Sequence, residues 1–196
     1  MADIEEVLRF WFGEDKSRPL ENRGKWWKKD PAFDEDIRRR FGALTAQALN
    51  GELAGWKADP HGALALILLL DQFPRNIHRG KPEAFMGDET ALDTLLRGLA
   101  EGSDYRLTLI ERCFFYLPLM HSEDLERQKQ SLQKFGVIAE AAPPEQKAYF
   151  EGTLEFAQRH HDIVAEFGRF PHRNTILGRA SSPVEVEFLK RPGSSF

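Results

Sequence analysis

Asp59-Pro60-His61-Gly62-Ala63-Leu64-Ala65-Leu66-Ile67-Leu68-Leu69-Leu70 decides the fold class. The run from Ala63 to Leu70 is apolar on every side, and its length suits either a buried strand or a buried helix. Leucine and alanine favour the helix. The preceding dipeptide agrees: Asp59 is a good N-cap, and proline fits the first helical position, where a missing N–H costs nothing. An all-apolar helix needs neighbours around its whole circumference, so this one should be central. Leu66, Ile67 and Leu70 are expected to be almost fully buried. The run is much shorter than the ~20 residues a membrane span needs.

Helical signals continue outward in both directions. Asp30-Pro31 repeats the start signal ahead of Phe33, Ile37, Phe41, Leu44 and Ala48, spaced by three and four residues up to Gly51. Ile4, Val7, Leu8 and Trp11 mark a first helix that stops at Gly13, and the polar stretch 14–24 with Pro19 reads as a loop. Downstream, Asp88 heads a helix closed by Gly102. Asp104 heads the next, which Pro118 ends or kinks, and Ser122 caps one running to about Ala139. Ala142-Pro143-Pro144 breaks the chain. A long helix then runs from Glu145 to Phe167 and stops at Gly168. Ser182-Pro183-Val184-Glu185 reads as a capping box. No stretch alternates at period two over strand length. The expectation is an all-α fold of about seven to nine helices, with residues 1–196 as a single domain.

The chain has 196 residues, 41% of them hydrophobic and 30% charged, with a net charge of −4. A general nucleic-acid binder would carry a basic excess, so that class is disfavoured. The single cysteine, Cys113, lies beside Phe114 and Phe115 and reads as an inert buried thiol. The first residues show no basic and apolar signal-peptide pattern, so a cytoplasmic location is expected, with no membrane partner. Within Lys25-Trp26-Trp27-Lys28-Lys29, the rings could stack on a base or sugar, but a core plug with solvated lysines is the simpler reading. Arg38-Arg39-Arg40 lies inside a helix, where successive residues diverge, so it reads as a solvated or ion-paired surface rather than a nucleic-acid site.

Two cationic stretches stand out against the acidic background. The longer is Gly168-Arg169-Phe170-Pro171-His172-Arg173-Asn174-Thr175-Ile176-Leu177-Gly178-Arg179. The shorter is Phe73-Pro74-Arg75-Asn76, followed by His78, Arg79 and Lys81. Both carry Phe, Pro, Arg and Asn in that order, and both read as proline-stiffened loops, the shorter extending from Phe73 to Gly87. The arginine fork matches carboxylate or phosphate and stays charged at any biological pH. Two readings remain open. Arg75, Arg169 and Arg173 clamp a small anion, with Asn76, Asn174 and Tyr116 as orienting groups. Alternatively, these arginines pair with Asp71, Asp162 and Glu166 and brace helix ends. His121, His160 and His172 are candidate polar contacts, and His160 and His121 also candidate acid/base groups. The histidine spacings, His161 included, match no zinc motif, so no metal is expected, and no cofactor fingerprint occurs.

Three motifs carry a resemblance. Asp71-Gln-Phe-Pro-Arg-Asn76, Phe115-Tyr-Leu-Pro-Leu-Met-His-Ser-Glu123, and the stretch from His160 through Gly168-Arg-Phe-Pro-His-Arg-Asn174 to Leu177-Gly-Arg179 are similar to the bacterial family known as domain of unknown function 924. The opening Val7-Leu-Arg-Phe-Trp-Phe-Gly13 also resembles that family's start. The resemblance implies a tetratricopeptide-like, α-α superhelical architecture and favours His160 over His161 as the characteristic histidine. The functional expectation is a central Arg/His-lined pocket for a small anionic molecule, with or without catalysis. The rival is a scaffold whose helical surface holds a protein or peptide partner, with the same motifs serving as braces.

Overall fold

The computed structural model describes residues 3–15 and 20–195; Pro19 and the last tail residue, Phe196, lie outside them. Among the described residues the regular structure is all helical. Its α-helices are α1 (Ile4–Phe12), α2 (Arg23–Trp26), α3 (Pro31–Leu49), α4 (Pro60–Ile67), α5 (Phe73–Ile77), α6 (Asp88–Ala100), α7 (Leu109–His121), α8 (Leu125–Ala141), α9 (Lys147–Phe167) and α10 (Pro183–Leu189). They fall into two compact units, residues 1–79 with 83–118 and residues 80–82 with 119–196. The boundary falls inside α7, beside Pro118. No described helix is long and apolar enough to cross a membrane.

The first unit is built around α4. Asp59 caps it by accepting from the Gly62 amide at 3.0 Å, and α1, α6 and the turns at its two ends pack on it. Leu66, Ile67 and Leu70 are buried, as an apolar helix with neighbours on every side requires. Trp11 of α1 completes the core among Phe33, Phe73 and Phe114. Trp26 is the buried plug, its Nε1–H donating to the Trp11 carbonyl at 3.0 Å, whereas Trp27 is half exposed. The arginine triplet of α3 is ion-paired: Arg38 with Glu35, Arg39 with Asp36, Arg40 with Glu6 and Asp36.

The expected loop from Phe73 to Gly87 opens instead on a helix. A π turn spans Leu68–Gln72, and α5 follows directly. Proline explains the widened turn. Pro74 has no N–H to offer the Leu70 carbonyl, and its ring would crowd that oxygen in a regular helix. The Phe73 amide donates to the Leu68 carbonyl, five residues back, which opens the coil at this point. Gly87 then packs against the exposed peptide: a Cβ there would lie 2.1 Å from the Leu70 carbonyl oxygen.

Other helix starts differ by up to a few residues, among them α9, which begins at Lys147 rather than Glu145. The segment 103–106 is a 3₁₀ turn, and α7 begins at Leu109, where Glu111 accepts from the Thr108 amide and hydroxyl, both at 2.8 Å. Asp124, not Ser122, caps α8, because its carboxylate reaches the Arg127 amide. α6 begins at Asp88 with Gly87 as its N-cap, so Asp88 is the first helical residue rather than the cap. Its side chain is engaged elsewhere, by Arg75.

In the second unit α8 and α9 pack along each other. Gly168 ends α9 in the left-handed region at φ +67°, its amide donating to the Val164 carbonyl. The chain then enters a 3₁₀ turn, Pro171–Arg173, and reaches α10, whose capping box between Ser182 and Glu185 is complete.

The close approach at Gly87 carries a test. Gly87→Ala should destabilise the protein by about 1–3 kcal/mol, because the new methyl meets backbone that cannot swing aside. Urea unfolding checks it; a midpoint equal to wild type would show that the π turn moves freely.

Candidate functional site

Within the first unit the sequence candidates are structural partners of carboxylates. Arg75 places its fork on Asp88, with Nη1 2.8 Å from Oδ1 and Nη2 3.0 Å from Oδ2. Its Nη1 also donates to the Asp71 carbonyl and lies 3.1 Å from the fully buried Asp71 carboxylate. Burial opposes that guanidinium's charge, but Asp71 and Asp88 outweigh it and raise its pKa. Asn76 donates to Asp34, which also accepts a bidentate contact from Arg79. The Tyr116 hydroxyl donates to Asp104 at 2.6 Å. Burial, and then the bond to Asp104, push that phenol far above its ordinary pKa.

The other candidates belong to the second unit, and there the chain gathers them. Phe170 is the hub and is fully buried. The Arg173 guanidinium lies over its ring, 4.6 Å from the centroid. The His160 ring stands edge-on at 5.5 Å, and the His172 ring lies at 5.6 Å. His121, at the end of α7, has its ring 6.1 Å from that of His160. His160 reaches the cluster because it sits on the buried side of α9; His161, one residue on, turns outward to Asp162. His160 Nδ1 lies 2.7 Å from the Phe156 carbonyl. A carbonyl only accepts, so Nδ1 carries the proton and Nε2 is the acceptor nitrogen.

Glu123 ties this cluster to the chain. Its Oε1 accepts from the Phe170 amide at 2.8 Å and from Arg179 Nη2 at 2.9 Å, and its Oε2 accepts from Arg179 Nη1 at 2.6 Å. Arg179 also donates to the Phe170 carbonyl and to Asn174 Oδ1. Asn174 is fully buried and donates to Ser181, so it orients the arginine. Arg169 closes its fork on Glu185, at 2.6 and 2.8 Å, rather than on Asp162 or Glu166. Glu123 and Arg179 were not among the candidate site residues. Both lie inside the quoted motifs; the missing signal was their pairing across 56 residues.

Electrostatics follow from this packing. Burial, and then the neighbouring His121, hold the His160 imidazolium down to about 2. Burial and the Arg173 charge depress His172 to about 4, against an opposing pull from Glu123. Burial raises Glu123, but Arg179 and the Phe170 amide more than reverse it. Arg169 and the Ser182 amide hold Glu185 down to about 2. An open depression of about 520 Å³ lies beside this cluster, lined by Glu166, Phe167, Arg169, Ser182, Val184 and Glu185. Its lining includes neither Arg173 nor the three imidazoles. Among the described residues, no three His, Cys, Asp or Glu side chains are grouped to hold a metal ion.

The sequence model of the bacterial proteins of unknown function called DUF924 matches residues 7–193. The chain belongs to the DUF924 family. It is also similar to a solved structure, the protein of unknown function ATU0120 from Agrobacterium tumefaciens. Identity is 35%, the TM-score is 0.80, and the match covers 95% of this chain and 96% of that one. None of the curated proteins matches the chain.

The depressed histidines set a pH dependence. His160 and His172 stay neutral in the folded chain at pH 5, but an unfolded chain protonates both near 6.5. The unfolded state therefore binds more protons, and stability falls as pH drops from about 6.5 towards 4.5. Below that window the depressed carboxylates add their own loss. Denaturant unfolding at pH 5, 6 and 7 should show this decline, and His160→Gln should remove about one proton from the uptake. Equal pH slopes for wild type and variant would contradict the burial of His160.

Proposed function

We propose that the second unit binds a small anion at Arg173, with His121, His160 and His172 forming the polar wall. The observation that carries this reading is the grouping itself: one buried guanidinium and two imidazoles on the Phe170 ring, with His121 beside His160. Arginine presents several donors in a planar fork, and imidazoles add donors and acceptors beside it. With His160 and His172 neutral, Arg173 supplies a fixed positive charge to the wall, and an oxyanion is a complementary ligand. At neutral pH, His160 serves this site as a hydrogen-bonding group rather than a proton donor. We infer binding, and assign no reaction.

The scaffold reading keeps part of the chain. Arg75 on Asp88 and Arg169 on Glu185 support bracing for those two arginines. A cytoplasmic setting and a tetratricopeptide-like stacking fit this reading but do not enter it.

Thermal unfolding tests it. A ligand held only by the native state at a hundred times its Kd stabilises by about 2.7 kcal/mol. In a chain of this size that raises Tm by about 5–10 °C. Phosphate, sulfate or a small carboxylate should raise Tm more than chloride at matched ionic strength. Sulfate and phosphate also strengthen burial generally, so the variant is the control. Arg173→Met should lose the anion-specific increment and keep the general one, and Arg173→Lys should retain part of it. If wild type and Arg173→Met respond alike to every anion, Arg173 is a brace and the scaffold reading stands.

A further inference from the structure

We propose that the open depression beside α10 takes a basic side chain, lysine or arginine, presented by a peptide segment of a partner protein. The depression measures about 520 Å³. Glu166 and Phe167 line it from the end of α9, Arg169 from just past that end, and Ser182, Val184 and Glu185 from the start of α10. All six residues belong to the second unit. The site shares no residue with the proposed anion wall, so neither reading depends on the other.

The charges of this lining do not cancel. Arg169 is closed on Glu185 through Nε and Nη2, at 2.6 and 2.8 Å, and the pair is neutral as a whole. Glu166 is exposed and, among the described residues, forms no ion pair or hydrogen bond. The lining therefore carries one uncompensated carboxylate, which attracts a cation and repels an anion. The rest of the wall is apolar. Phe167 is backed by the ring of Phe188, 4.8 Å between centroids, and Val184 is exposed. A lysine or arginine side chain matches both features, because it lays an aliphatic stem on apolar surface and keeps its charge at the polar end. The face of an aromatic ring also favours a cation. Openness selects the source of that cation. Small-molecule pockets enclose most of their ligand, and a depression open to solvent does not. A side chain that stays attached to its own chain needs only such a notch, as in other modes of peptide recognition.

Three tripeptides, acetylated and amidated at their ends, separate charge from stem: Gly-Lys-Gly, Gly-norleucine-Gly and Gly-Glu-Gly. NMR titration of the full chain at pH 7 reads where each binds and how tightly. The lysine peptide should shift the backbone amides of Glu166, Phe167, Val184 and Glu185. It should bind about two- to fivefold more tightly than the norleucine peptide, the range of one solvent-exposed ion pair, and the glutamate peptide should bind most weakly. Added salt should shrink the lysine preference. Glu166 has no bond in the fold to lose, so Glu166→Gln should fold as wild type does. In that variant the lysine and norleucine peptides should bind equally. Val184→Ser should weaken both. Equal affinities in wild type, a lysine preference that survives Glu166→Gln, shifts that map to other residues, or no binding at all would each overturn the inference.

Discussion

The carboxylate of Glu123 is the constraint on which the second unit's candidate site depends. It meets the Phe170 amide and both terminal nitrogens of Arg179, so it holds the two sides of the closing segment at one point. Phe170 then presents its ring as the surface that Arg173, His160 and His172 share. Removing one partner of such a pair leaves the other charge poorly solvated, which costs far more than a surface ion pair. The short segment between α9 and α10 is shaped by its own backbone turns, such as Arg173 N–H to the Phe170 carbonyl and Arg179 N–H to the Asn174 carbonyl, together with these side-chain bonds.

That arrangement favours a particular charge state. Four side chains of basic type sit close together, yet burial keeps at least two of the imidazoles neutral. The cluster thus avoids the repulsion that three imidazolium rings beside a guanidinium would create. In Arg75 and Arg169 a carboxylate of the chain fills the fork.

Much of this was legible in the sequence. Asp30-Pro31, Asp59-Pro60, Gly13, Gly168 and the Ser182 capping box mark real helix ends, because caps act over three or four residues and carry their own chemistry. The stretch after Leu70 was misread because Pro74 normally breaks a helix; a π turn and the approach of Gly87 remove the conflict, and neither leaves a local signature. The arginines were legible as paired or anion-binding, but partners such as Asp88 and Glu185 are chosen by packing. The role of Glu123 was hidden for the same reason, since its partner Arg179 is distant in the chain.

The most direct test of the central claim is nitrogen NMR of the protein labelled at histidine, recorded at pH 6 with and without sulfate. Without sulfate, His160 and His172 should both show neutral imidazole shifts, with the His160 proton on Nδ1. Sulfate should shift the imidazole signals and leave His160 neutral. A His172 already protonated without sulfate, or imidazole signals that ignore the anion, would contradict the account.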